Sequence, residues 1–162
     1  MEIEPIGIIH SPFHQATETP IQPFCAVGSE ATVEVFPAFA EGLEDLQGFE
    51  RIWLLFWCHQ ACPSKLTVVP YRDTQPHGVF ATRAPARPNP IGISAVRLLS
   101  VEKMLLRVAE IDILDGTPLV DIKPYVSEYD SYPAMNSGWL RTCPTMETSH
   151  RADNRFERNK PE

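Results

Sequence analysis

The chain has 162 residues, of which 43% are hydrophobic and 22% charged, and a formal net charge of −7. That balance suits one globular domain with a real hydrophobic core, and it argues against broad, non-specific affinity for nucleic acid. Sixteen prolines, scattered from Pro5 to Pro161, exclude a bundle of long helices and point to a β-rich fold.

In chain order, Ile3, Ile6, Ile8 and Ile9 alternate weakly around Gly7 and predict an opening strand, ended by Ser11-Pro12. Residues 11–30 are polar and proline-broken, and predict a loop long enough to suggest function. Residues 31–36 alternate as a half-buried strand, closed by Pro37. Phe39, Leu43, Leu46 and Phe49 recur at nearly helical spacing and predict a short helix over 38–50. Residues 52–58, Ile-Trp-Leu-Leu-Phe-Trp-Cys, are continuously apolar and predict the most buried strand of the chain. His59 and Gln60 stand where that strand stops being apolar, at the end of a rigid platform.

A short strand over 66–69 ends at Pro70. Residues 91–101 and 104–113 predict a hairpin with Glu102-Lys103 at its tip, although neither residue favours a positive φ. Asp115-Gly116 is a true turn signal, followed by a strand from Pro118 to Pro124. Beyond residue 127 the chain is polar, with Tyr129, Tyr132, Trp139 and Phe156 as sparse anchors, and 149–162 predict a frayed or docked tail. Short strands punctuated by turns and prolines predict a single mostly β, barrel-like domain with one or two short helices.

The apolar run over 52–58 is far shorter than the roughly 20 residues of a membrane span. With no basic residue and apolar stretch at the N-terminus, a cytoplasmic protein is expected. Cys25, Cys58, Cys62 and Cys143 then read as reduced thiols, and no second Cys/His pair accompanies Cys58-x-x-x-Cys62, so no metal is expected. Nothing in the chain matches the glycine-rich openings of Rossmann or P-loop nucleotide sites.

The most distinctive stretch is 78–94, Gly-Val-Phe-Ala-Thr-Arg-Ala-Pro-Ala-Arg-Pro-Asn-Pro-Ile-Gly-Ile-Ser. Pro85, Pro88 and Pro90 push the residues before them to extended geometry, so this is a stiff loop between apolar segments. Arg83 and Arg87 on such a backbone suit a fixed anion site, because guanidinium is a planar fork matched to carboxylate and phosphate. Residues 1–50 hold acids and no Lys or Arg, whereas Arg72, Arg83, Arg87, Arg97, Lys103 and Arg107 meet only Asp73 and Glu102 over 71–107. An anionic ligand belongs to this second stretch. Asp112, Asp115 and Asp121 read on spacing alone as turn-forming carboxylates.

Four motifs in order, 5–12 (Pro-Ile-Gly-Ile-Ile-His-Ser-Pro), 49–60, 78–94 and 112–125, resemble the TsaA-like family, which includes the TrmO-type tRNA N6-threonylcarbamoyladenosine methyltransferases. The resemblance covers roughly residues 2–126. It implies a non-Rossmann β-barrel domain over 1–140 that binds S-adenosyl-L-methionine, followed by a C-terminal tail over 141–162. It also implies a homodimer with the cofactor near the subunit interface, and methylation of threonylcarbamoyladenosine-37 in the anticodon loop of tRNA. Cofactor contacts carry over onto Gln22, Pro23, Phe24, His59, Gln60, Arg83, Ile93, Asp112, Ile113, Leu114 and Asp115. Arg87, Arg97 and Arg107 are the expected tRNA contacts, and no general base is identified. A non-catalytic barrel that senses the cofactor or another anionic molecule would explain the same loop.

Overall fold

A computed structural model describes residues 2–133 and 136–158. Its strands are β1 (Gly7–His10), β2 (Glu30–Val35), β3 (Arg51–Trp57), β4 (Thr67–Val68), β5 (His77–Gly78), β6 (Ile91–Glu102), β7 (Leu105–Ala109) and β8 (Thr117–Pro124). Six of them close an antiparallel barrel in the order β1-β2-β7-β6-β3-β8, and β4 pairs with β5 as a separate ribbon. Among the described residues the single α-helical turn, α1, is Ser127–Asp130. No helix among the described residues is long and apolar enough to cross a membrane.

Period-two alternation decides what fills the barrel. Ile9, Val33, Val35, Ile52, Leu54, Val96, Leu106, Val108 and Leu119 point inward and are fully or almost fully buried. The expectation for residues 52–58 needs correction. β3 buries Ile52 and Leu54, while Trp53, Leu55 and Trp57 are half-buried on its other face. A closed barrel has only one interior, so a continuous apolar run must put every second side chain outside. Trp53 is covered there by the Tyr125 ring, 5.4 Å away, and its Nε1 donates to Asp130 Oδ2 (3.3 Å).

The helix expected over 38–50 is instead two 3₁₀ segments, Pro37–Leu43 and Leu46–Gly48. Asp45 separates them in a left-handed conformation (φ 63°), and an α-helix cannot continue through such a residue. Leu43 and Leu46 still reach the core, so the near-helical spacing marked burial correctly and the helix type wrongly. The β6–β7 hairpin turns at Lys103-Met104, one residue beyond the expected tip. Lys103 takes φ 56° without being a residue that favours it. Gly116 takes φ 72° in the turn that leads into β8, as the Asp-Gly signal requires.

The 3₁₀ segments after β2 sit beyond one end of the barrel. At the other end β1, β3 and β7 finish, and β2, β6 and β8 begin. Three connections gather at that second end: residues 11–29, 58–90 and 110–116.

Candidate functional site

A cavity of about 310 Å³ opens among those connections. β3 delivers Phe56, Cys58, His59 and Gln60 to it, and the start of β6 delivers Gly92, Ile93 and Ser94. Gly92 is there for a steric reason: a Cβ on it would meet the Phe56 ring at 2.3 Å. Only glycine lets that ring lie across β6 at the cavity wall.

The stiff loop forms the next wall. Arg87 Nη1 donates to the carbonyls of Val79 (3.2 Å), Thr82 (2.9 Å) and Ala84 (3.4 Å), stapling the loop to itself. Cys58 N donates to Pro90 O (2.7 Å), which ties the loop's exit to the end of β3. Arg83 is therefore held on a fixed backbone, with its Nη1 donating to Gln22 Oε1 (2.5 Å) across the cavity mouth. Gln22 in turn is oriented by its own Nε2, which donates to Ile21 O (2.7 Å).

Asp112 provides the negative charge. Ser94 Oγ donates to its Oδ1 at 2.6 Å. Asp112 keeps a window of surface, but protein packed around the carboxyl pushes its pKa up to about 7; the Ser94 bond and the Arg83 charge only partly oppose this. At neutral pH this group is poised between acid and carboxylate. His59 is shifted the other way: burial lowers its pKa, so the ring is neutral. Thr117 Oγ1 spends its proton on Leu114 O (2.7 Å) and lies 3.4 Å from His59 Nδ1. His59 Nε2 faces the Gln60 amide nitrogen at 3.3 Å. Cys58 is pushed up to about 12, chiefly by burial, which makes it an inert thiol.

Of the residues carried over by resemblance, Gln22, His59, Gln60, Arg83, Ile93, Asp112, Ile113 and Leu114 line this one cavity, as does Arg87. Pro23 and Phe24 do not; they form a short 3₁₀ turn beside it, with Phe24 largely exposed. Asp115 also lies outside the lining. Its Oδ1 accepts from Ser11 N (3.0 Å), and its Oδ2 is 3.4 Å from His14 Nδ1. Arg97 is exposed on the barrel wall, and Arg107 pairs with Glu30 at 2.6 Å.

Sequence reasoning overlooked the last wall. Ala152, Phe156 and Glu157 line the cavity from the C-terminal tail. The tail is clasped across two connections: Ala152 N donates to Thr19 O (2.9 Å) and Glu157 Oε1 accepts from Ala16 N (3.0 Å). On the other side Cys62 N donates to Phe156 O (2.8 Å) and Arg158 N to Gln60 O (2.9 Å). Phe156 is buried against Val68, Val79, Ala84 and Ala86 in a second small core. The one signal was a lone phenylalanine in an otherwise polar tail.

The comparisons with known proteins agree with this geometry. Residues 8–131 match the model of the tRNA-methyltransferase O N-terminal domain. A probable S-adenosyl-L-methionine-binding protein of Pyrococcus abyssi is 53% identical over 152 residues, covering 94% of this chain and 83% of that protein. The tRNA (adenine(37)-N6)-methyltransferase of Escherichia coli is 34% identical over 156 residues, covering 90% of this chain and 66% of that protein. The crystal structure of TrmO from Pseudomonas aeruginosa superposes with a TM-score of 0.72 at 41% identity, over 86% of this chain and 62% of that one. With the family model matched over most of its length and these relatives at this identity, this chain is a member of the tRNA-methyltransferase O family.

Proposed function

We propose that this protein transfers a methyl group from S-adenosyl-L-methionine to N6 of threonylcarbamoyladenosine-37 in tRNA. The observation that carries the reading is the convergence of Gln22, His59, Gln60, Arg83 and Asp112 on one cavity in a member of this family. The names of relatives, an S-adenosyl-L-methionine-binding protein and a tRNA (adenine(37)-N6)-methyltransferase, support the same cofactor and acceptor.

The donor set fits the cofactor. Arg83, on a fixed backbone, suits its carboxylate. Asp112 suits a hydroxyl or an ammonium group, whereas Asp115 lies outside the cavity lining. Phe56, Ile93 and Ile113 provide the apolar slot that an adenine ring needs, and the His59–Gln60 pair provides polar edges beside it. When bound, the cofactor would supply an electrophilic methyl on a sulfonium, whose transfer to N6 would leave a neutral thioether and release the N6 proton to solvent. The protein's own part is to hold nucleophile and methyl in line and to keep water out, and positioning of this kind supplies much of a displacement's rate. Arg87 holds the loop, while Arg97 and Arg107 offer cations to RNA phosphates. A tRNA substrate is consistent with a reaction in the cytoplasm.

A homodimer is part of this reading. The outer face of β3 and β6 presents Leu55, Trp57, Ile91 and Ile93 side by side, since Leu55 is in register with Ile93 and Trp57 with Ile91. Ile93 is 50% exposed and also lines the cavity. A second copy on this face would bury the strip and border the cofactor, and two-fold dimers are the commonest oligomers. Light scattering should give twice the chain mass, and Ile93→Glu should give the monomer; a monomeric wild type at micromolar concentration would end this part of the reading.

The decisive assay incubates the protein with labelled cofactor and tRNA that carries or lacks the threonylcarbamoyl group, then digests and identifies nucleosides. Label is expected only on the modified adenosine. Label on another base would replace the substrate and keep the methyltransferase. Tight cofactor binding with no labelled RNA would favour a sensor.

A further inference from the structure

Phe80 lies outside the cavity lining. Phe80 is 76% exposed, although it sits in the middle of the stiff loop. It is the central residue of the 3₁₀ turn Val79–Ala81, and that turn is held from every side. Val79 before it is buried, with its N donating to Leu66 O (2.9 Å). The carbonyl of Val79 accepts from Thr82 Oγ1 (2.9 Å) and from Arg87 Nη1 (3.2 Å). The carbonyl of Ala81 after it accepts from Trp139 Nε1 (2.8 Å). Trp139 is itself stacked on His77, with centroids 4.4 Å apart and planes 19° from parallel. His77 Nε2 is 2.9 Å from Asp73 Oδ2. The guanidinium of Arg87 lies 5.8 Å from the centre of the Phe80 ring, backing it with positive charge.

A lone exposed aromatic side chain is ordinary on a protein surface. One whose backbone is clamped by two neighbours, an arginine and a tryptophan is a preset platform. Two and three residues further on, Thr82 and Arg83 line the cavity. A base that enters that cavity from a single-stranded loop must be splayed from its neighbours, which lose their stacking partner. A rigid aromatic ring beside a guanidinium is the equipment for receiving an unpaired base and its phosphate.

We propose that Phe80 is a stacking platform for the nucleotide adjacent to the methylated adenosine, and so a specificity residue for single-stranded RNA. The proposal rests on the RNA-methyltransferase reading. The test uses a threonylcarbamoyladenosine-bearing anticodon stem-loop with 2-aminopurine at the neighbouring position, and compares wild type, Phe80→Leu and Phe80→Trp. Stacking on Phe80 quenches the 2-aminopurine fluorescence on binding. Phe80→Leu should lose the quench and raise the RNA KM about tenfold, within what one base–aromatic stack contributes. It should leave the Kd for the cofactor unchanged, and Phe80→Trp should restore both RNA readouts. Wild-type KM and quench in Phe80→Leu would overturn the platform and leave the methyltransferase standing. Equal losses in Phe80→Leu and Phe80→Trp would also overturn it, because aromaticity would then not be the cause. A wild type that labels no RNA overturns the underlying reading in the first arm, before any variant is compared.

Discussion

The barrel wall and the connections around the cavity are built from different kinds of interaction. The staves are held by backbone ladders between strands and by Ile, Val and Leu side chains that alternate inward. The connections around the cavity have almost no ladder. They are held by side chains that reach for carbonyls, as Arg87 does three times, and by a tail clasped between residues 16–19 and 60–62. Such regions open locally at lower free energy than a barrel does, and ligand-binding elements are drawn from them. The small core of Val68, Val79, Ala84, Ala86 and Phe156 belongs to these connections and not to the barrel.

That contrast can be broken most forcefully at Phe156. Phe156→Ala empties the small core, a loss of about 3–5 kcal/mol for a phenylalanine. Its expected reading is loosened hydrogen-exchange protection over 16–22 and 60–87 and a large loss of cofactor affinity, with the barrel amides unchanged. Uniform loss of protection would mean that the two regions fold as one unit. Leu54→Ala, in the barrel core, should instead lower global stability by about 2–5 kcal/mol, seen as an earlier urea midpoint.

Asp112→Asn tests the charge buried at the junction. A carboxyl whose folded pKa, about 7, lies above its unfolded value of 3.8 binds its proton more tightly when folded. The group therefore makes stability fall as pH rises from about 4 to 7, and the penalty is complete above 7. Wild type should lose on the order of 2–4 kcal/mol from this group across that window, and Asp112→Asn should flatten the dependence in urea titrations at pH 4.5 and 8. Cofactor binding has the opposite sign. If the carboxylate meets a donor on the cofactor, wild-type affinity declines below about pH 7, and the asparagine variant shows no such decline in calorimetry.

Arg83→Ala should weaken cofactor binding by about 1.5–3 kcal/mol, the range for hydrogen bonds to charged groups. An unchanged Kd would remove Arg83 from the site. The smallest effect is expected at Arg107→Glu, which should raise the RNA KM severalfold and lessen its salt dependence, since each phosphate contact releases counterions. The pair with Glu30 is mostly exposed, so losing it should cost little stability.

Much of the barrel was determined by the sequence itself. Alternation at residues 31–36, the Asp115-Gly116 turn and the proline spacing are local facts, and local sterics and burial act on them directly. The stiffness of 78–94 was equally legible, because proline restricts its own backbone and that of the residue before it. Only the tertiary structure decided which face of Arg51–Trp57 is interior, because an unbroken apolar run has no period until closure supplies one. It also decided that Arg87 serves the loop and Arg83 the cavity mouth, two arginines of one proline-rich stretch. The burial of Asp112 and the docking of Phe156 arise the same way. Both depend on partners far away in the chain, Ser94 for the one and Val79 for the other, and no local pattern encodes a contact made at that separation.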